Sequence, residues 1–177
     1  MKTNILLLYG LVSLSAFGCK KHSTEQKHST EQEIKTKINQ LYSKKRGFYD
    51  NVPDTTLFSN NIVKNMMNVQ EITKADIERI KKSKYPTDKP VILEGSWYTS
   101  LYEGFSKYTI KKIFIKDNTA EAVVEFESNS RPKEIWTDDV ILIHKNDWKI
   151  DNIIFSNKYN GPRDLKAKLN IITDFTH

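Results

Sequence analysis

Two hydropathy periods divide this chain. In the first half, Ile34, Ile38, Leu41 and Tyr42 fall at i, i+4, i+7 and i+8, one stripe along a helix. Phe48, Tyr49 and Val52 extend the apolar side until Val52-Pro53-Asp54 breaks it. Ser59 is placed to cap a second helix carrying Ile62, Val63, Met66 and Met67. Thr73, with Asp76 three residues on, reads as a capping box with Asp in place of Glu. It would open a third helix that turns Ile77 and Ile80 inward and ends near Lys84-Tyr85-Pro86.

After Pro90 the period becomes two. Residues 108–115 read as a strand and Asp117-Asn118-Thr119 as a turn. Ala120, Ala122, Val124 and Phe126 then alternate with Glu121, Val123, Glu125 and Glu127, the pattern of a half-buried strand. A turn over 128–132 leads into a long strand over 135–144, and Lys145-Asn146-Asp147 turns that into a last strand over 148–155. The result is an antiparallel meander with one face on the core. Gly161-Pro162 opens a short terminal helix with Leu165, Leu169 and Ile172 inward. Helices, then a curved antiparallel sheet, then a helix make an α+β fold. Helices laid into the concave side of such a sheet would leave a pocket at its open end.

Ahead of this domain lies a different pattern. Lys2 precedes an uncharged, mostly apolar run over 5–18, followed by Cys19, the chain's one cysteine, and Lys20-Lys21. A basic start, a short apolar run and small residues are the layout of a signal peptide, too short for a spanning helix. Ala16-Phe17-Gly18-Cys19 fits a lipoprotein cleavage site except at Phe17, where a small residue is usual. The alternatives are an ordinary secretory signal, or a buried helix with an incidental thiol. Lipidation accounts for the odd cysteine of an exported chain, and acyl chains on Cys19 would give stable membrane attachment. Residues 21–26 and 27–32 are the same hexapeptide, Lys-His-Ser-Thr-Glu-Gln. It is polar and has no apolar stripe, so 19–32 reads as a flexible tether with a reach of about 20 Å. His22 and His28 lack the spacing of a metal site. The expected organisation is therefore a signal peptide over 1–18, a tether over 19–32 and one domain over 33–177.

Removing 1–18 leaves about 159 residues, enough for one core without disulfides. Lys and Arg number 28 against 22 Asp and Glu, and the surplus is scattered among Lys44-Lys45-Arg46, Lys81-Lys82 with Lys84, and Lys111-Lys112. In an envelope protein this basic balance points to anionic head groups or an acidic partner, not to nucleic acid. Ser-His-Asp, phosphate-loop and metal-ligand motifs are absent, and no cofactor is expected.

Several local phrases carry a resemblance. They are Phe58-Ser59 with Ile62-Val63, Ile77 with Lys81, Gly95-Ser96-Trp97 and the strand over 108–114. Asp117 with Ala120-Glu121-Ala122-Val123-Val124, Trp136, the strand over 140–143, and Asp147-Trp148-Lys149-Ile150-Asp151-Asn152-Ile153 follow. Asp164-Leu165-Lys166 leading to Leu169 closes the series. Over about 33–175 the chain resembles domain-of-unknown-function family 3828 of bacterial envelope lipoproteins, within the nuclear-transport-factor-2-like superfamily. The resemblance implies a cone of helices on a curved antiparallel sheet. It supplies no catalytic residues, and fold alone does not give a reaction. The region 86–105 departs from the family in being aromatic.

Three functions follow as expectations. The first is a lipid-anchored, non-enzymatic envelope module that binds a partner protein or small ligand with Trp97, Tyr98, Tyr102, Asp138 and His144 near the cone's mouth. Trp97, Tyr98, Tyr102 and Phe105 could equally seal that mouth, and Trp136 and Trp148 read as core. The second is a hydrolase- or isomerase-like enzyme pairing Asp138 or Asp139 with His144 as acid and base; one of the two Asp side chains must point away, since strands alternate. The third is an immunity-type or structural envelope protein. Lys20 after Cys19 points to the outer membrane, on its periplasmic side. Replacing Cys19 is expected to leave an unlipidated precursor: Cys19→Ser should lose acyl label and leave the membrane fraction, and its partitioning like wild type would refute the anchor.

Overall fold

The apolar stripe of the first helix becomes the spine of the domain. The computed structural model describes residues 19–43, 47–49 and 51–174, with the backbone alone for 19–27. The expected signal segment and the basic triplet at 44–46 lie outside the described residues. Helix α1 (Cys19–Tyr42) buries Ile34, Ile38, Leu41 and Tyr42. Its start differs from the sequence reading: the backbone is helical through both hexapeptides, where a flexible tether is expected. Lys, Glu and Gln lose little rotamer freedom in a helix. Once the turns around Ile34 are fixed by packing, elongation adds a hydrogen bond per residue without a new nucleus.

Helix α2 (Asn60–Lys81) is capped where expected, with Ser59 Oγ accepting the Ile62 N–H at 3.4 Å. It absorbs both the second and third helices of the sequence reading. Ile62, Met66, Val69, Thr73, Ile77 and Ile80 step by three or four residues without a Pro or Gly between them, so one stripe runs the whole length. Thr73 is therefore a buried mid-helix residue and not a cap. Asp76 instead accepts the Val91 N–H at 2.7 Å and pairs with Arg79 at 2.6 Å, which holds its carboxyl below the usual range.

Strands β1 (Lys107–Lys116), β2 (Thr119–Glu127), β3 (Ile135–His144) and β4 (Trp148–Ile154) form one antiparallel sheet in chain order. The β1–β2 hairpin turns through Asp117 at φ 51°, a left-handed position that Asp tolerates better than most residues. Register sets Phe126 opposite Trp136, Val124 opposite Asp138, Ala122 opposite Val140 and Ala120 opposite Leu142. All eight are buried, so one face of the two central strands is core throughout. The outer edge of β4 is covered: Ser59 N–H reaches Ile150 O at 2.8 Å, Ile150 N–H reaches Leu57 O at 2.9 Å, and Phe155 N–H reaches Arg163 O at 3.0 Å. Those contacts remove the open hydrogen-bonding edge that invites pairing with other chains.

Helix α3 (Leu165–Asp174) closes the chain, burying Leu165, Leu169 and Ile172. Its start is set by Asp164, whose Oδ1 accepts the Ala167 N–H at 2.7 Å, and not by Pro162 two residues earlier. The fold is α+β, with three helices and a four-stranded antiparallel sheet among the described residues. Among those residues no helix is long and apolar enough to cross a membrane. Phe126 is fully buried among Tyr42, Phe105 and Trp136, with ring centroids 5.0, 5.0 and 5.5 Å away. Phe126→Ala should cost about 3–5 kcal/mol, read as a lowered urea midpoint with an unchanged slope.

Candidate functional site

Residues 93–105 carry no regular secondary structure, yet hydrogen bonds and ring contacts tie them to several elements of the fold. Gly95 opens it at φ 76°, a conformation that disfavours side chains. A Cβ there would also lie 2.5 Å from the Tyr102 ring. That ring can cover the backbone because Gly95 is bare, and Ser96 N–H donates to Tyr102 O at 2.7 Å. The enclosed residues alternate into the domain. Trp97 stacks on Phe48 with centroids 3.3 Å apart and planes 3° from parallel, and Tyr49 meets its ring edge-on. Tyr98 stacks on Phe58, and its carbonyl accepts the Tyr42 hydroxyl at 3.1 Å. Burial, and secondly Asp138, push the Tyr42 phenol well above its usual pKa. Thr99 Oγ1 accepts the Trp136 indole N–H at 3.0 Å.

Asp138 is the polar centre of this arrangement, with 1% of its surface exposed. Ser100 N–H donates to Oδ2 at 2.9 Å, Ser156 N–H donates to Oδ1 at 2.9 Å, and the Ser100 hydroxyl also donates to Oδ1. Ser156 N–H is shared with Ser100 Oγ at 2.7 Å. A carboxylate held by two backbone amides and a hydroxyl from two separate segments is a structural anchor. Asp139 points to the opposite face, as strand alternation requires. Partial burial first, then Glu121 and Asp138, raise its carboxyl above the usual range.

The sequence-predicted site residues do not converge. His144 lies six residues from Asp138 on β3, about 20 Å along the strand, and its ring leans on Trp148 at 5.1 Å. No acid–base pair of Asp138 or Asp139 with His144 is formed. Trp97 and Tyr98 turn inward and fill space that the sequence reading leaves for a pocket lip. Tyr102 is exposed, with its hydroxyl 3.4 Å from Glu94. Trp136 and Trp148 are buried. Cys19 is the first residue of α1, and its side chain lies outside the described part. Among the described residues no cluster of three His, Cys, Asp or Glu could hold a metal ion.

Two of the surface concavities bear on recognition. A groove of about 530 Å³ runs between α2 and the loop after α1, lined by Val52, Pro53, Met67, Ile77 and Ile92. Val52 is 83% exposed and Met67 44%. Thr73 forms part of its floor; its Oγ1 lacks a well-formed hydrogen bond, and its polar neighbour is the Tyr49 hydroxyl, which accepts the Leu93 N–H at 2.8 Å. A smaller cleft of about 220 Å³ opens between the 93–102 segment, residues 155–162 and α3, with Lys168 in its wall. Sequence reasoning missed Lys168, although a signal existed: it is three residues from Leu165 and beside Leu169, next to the buried stripe.

Comparison of the chain with protein-family models, with curated proteins and with solved structures finds no match.

Asp138→Ala strands three donors in a dry interior and should cost about 3 kcal/mol or more. Amide exchange at Ser100 and Ser156 should accelerate far more than at Ala122 on the sheet; equal protection at all three would show that the anchor is dispensable.

Proposed function

We propose that this chain is a lipid-anchored module of the bacterial cell envelope, of the nuclear-transport-factor-2-like cone type seen in family 3828, that binds a partner protein through its surface. Cys19 carries the lipid and attaches the domain to the outer membrane on its periplasmic side. The observation that carries this reading is the filled interior. Phe48, Trp97, Tyr98 and Tyr42 occupy the space between helices and sheet where a cone-type enzyme would hold its substrate. The buried Asp138 is held by Ser100 and Ser156, and His144, about 20 Å away along β3, is out of its reach.

The groove along α2 is the surface best suited to a partner. Val52, Pro53, Met67, Ile77 and Ile92 line it with apolar, partly uncovered surface, and Asn51, Gln70, Glu71 and Lys74 add polar groups. An apolar centre inside a polar rim is the anatomy of a protein-recognition patch. An apolar side chain from a partner would cover Val52 and Met67, whose exposure is otherwise unfavourable.

A photo-crosslinking residue at position 67, in cells expressing the full chain, should capture a discrete partner protein. The same residue at Lys112, on the exposed side of β1, should not. Met67→Glu in a chain crosslinked from position 52 should abolish the product. Identical, diffuse crosslinks from 67 and 112 would overturn this assignment.

A further inference from the structure

We propose that the cleft between the 93–102 segment, residues 155–162 and α3 binds a small monocarboxylate with an apolar body, and that the Lys168 ammonium is its ion-pair partner. This site is separate from the α2 groove and does not depend on the partner-binding reading.

The case begins with the lysine's surroundings. An ammonium group carries three donors. Among the described residues, Lys168 Nζ has one hydrogen-bond acceptor, the Ser96 carbonyl. The Trp97 and Phe155 rings flank it, with centroids 5.9 and 5.7 Å from the nitrogen. The rings favour a cation but do not neutralise it. Comparable partly covered lysines of the fold have carboxylates: Lys37 has Asp147 at 3.4 Å, and Lys166, two residues away on the same helix, has Asp151 at 2.5 Å. Lys168 has none within ion-pair reach among the described residues. Desolvation lowers its pKa, with no opposing carboxylate to restore it. A partly buried cation short of a counter-charge carries a desolvation cost, and an anion in the adjoining space would offset it.

The cleft's shape and lining select the anion. Leu93, Phe155, Pro162 and Ile171 give it apolar walls, and Tyr102 covers one side. Its volume is below the range for drug-sized ligands, so the occupant is small. One lysine supplies one positive charge, and no arginine lines the cleft. The nearby amides of Ser100 and Ser156 are spent on Asp138. A phosphate dianion would find too few donors here, whereas a carboxylate needs one cation and a dry wall for its tail. The other charged and titratable groups facing the space are engaged. Glu94 is paired with Lys89 at 2.7 Å and touched by Tyr102, and the Tyr159 hydroxyl donates to Glu134 at 2.7 Å. Asp138 lies behind Ser100, tied as described. Lys168 is thus the one lining cation free to take a ligand.

The linkage has a definite sign. A bound carboxylate favours the charged amine, so binding raises the lysine's pKa. Affinity should fall as pH rises through the lowered pKa of the free protein, earlier than for an ordinary lysine.

The test uses the full chain in detergent micelles, with hexanoate and benzoate as probes, hexanamide as the uncharged control and inorganic phosphate as the dianion control. Amide shifts at Ser96 and Phe155 in NMR titrations give the affinities. Hexanoate or benzoate should bind at least about tenfold more tightly than hexanamide, and phosphate should leave both amides unmoved. Lys168→Met should abolish the carboxylate preference while raising Tm, since it removes a desolvated charge. Lys168→Arg should retain part of the preference, and Lys166→Met should leave it intact. Equal binding of hexanoate and hexanamide, tighter binding of phosphate, no binding of either carboxylate, or undiminished hexanoate binding by Lys168→Met would each overturn the proposal.

Discussion

The Asp138 carboxylate ties together parts of the chain that have no other reason to meet. It sits on a central strand, yet its donors come from Ser100, before the sheet begins, and Ser156, just after the sheet ends. These bonds draw the irregular 93–105 segment across the inner face and fix where the chain leaves β4. With Ser100 held, Thr99 reaches the Trp136 indole and Trp97 is delivered onto Phe48. A buried charge without a cation is tolerated here because backbone amides are fixed dipoles that need no rearrangement to solvate it. The apolar core alone would accept many loop paths; the carboxylate accepts one.

That anchor also bears on what Asp138 itself can do. Acid–base work needs a carboxylate with an unfilled lone pair and access to a mobile proton. Asp138 instead faces three donors that do not titrate. Aromatic rings surround this part of the interior: Tyr42, Phe105 and Phe126 meet edge-on or tilted, and Phe126 stacks on Trp136. At the periphery, α2 and α3 each border a concavity.

The strands and the inward faces of the helices were legible because alternation and 3.6-residue spacing are local. Ala120, Ala122, Val124 and Phe126 announce a buried face whatever surrounds them, and Ser59 marks a helix start by its own side chain. Thr73 misled because a capping pattern competes with an unbroken stripe, and the stripe prevailed when Met66, Val69 and Ile80 packed together. Polarity over 19–32 points to a tether, whereas the backbone there is helical, since charged straight-chain residues can extend a helix that packing has already nucleated. Residues 93–105 were opaque for a different reason. Their conformation comes from partners 38 to 56 positions away, such as Asp138 for Ser100 and Tyr42 for Tyr98. Lys168 was hidden likewise, since a lysine's burial depends on which loop crosses its helix.

The unbroken helix from Cys19 into the core has a geometric consequence. If Cys19 sits at a membrane surface, the segment ahead of Ile34 acts as a stalk and not as a leash. Each copy of Lys-His-Ser-Thr-Glu-Gln then adds about 9 Å of height and turns the domain by about 240° around the helix axis. Duplicating six residues is therefore not a neutral lengthening. With Cys19 so placed, it would set both how far the domain stands from the bilayer and which of its faces looks along the membrane, and the repeat would behave as a ruler with a built-in rotation.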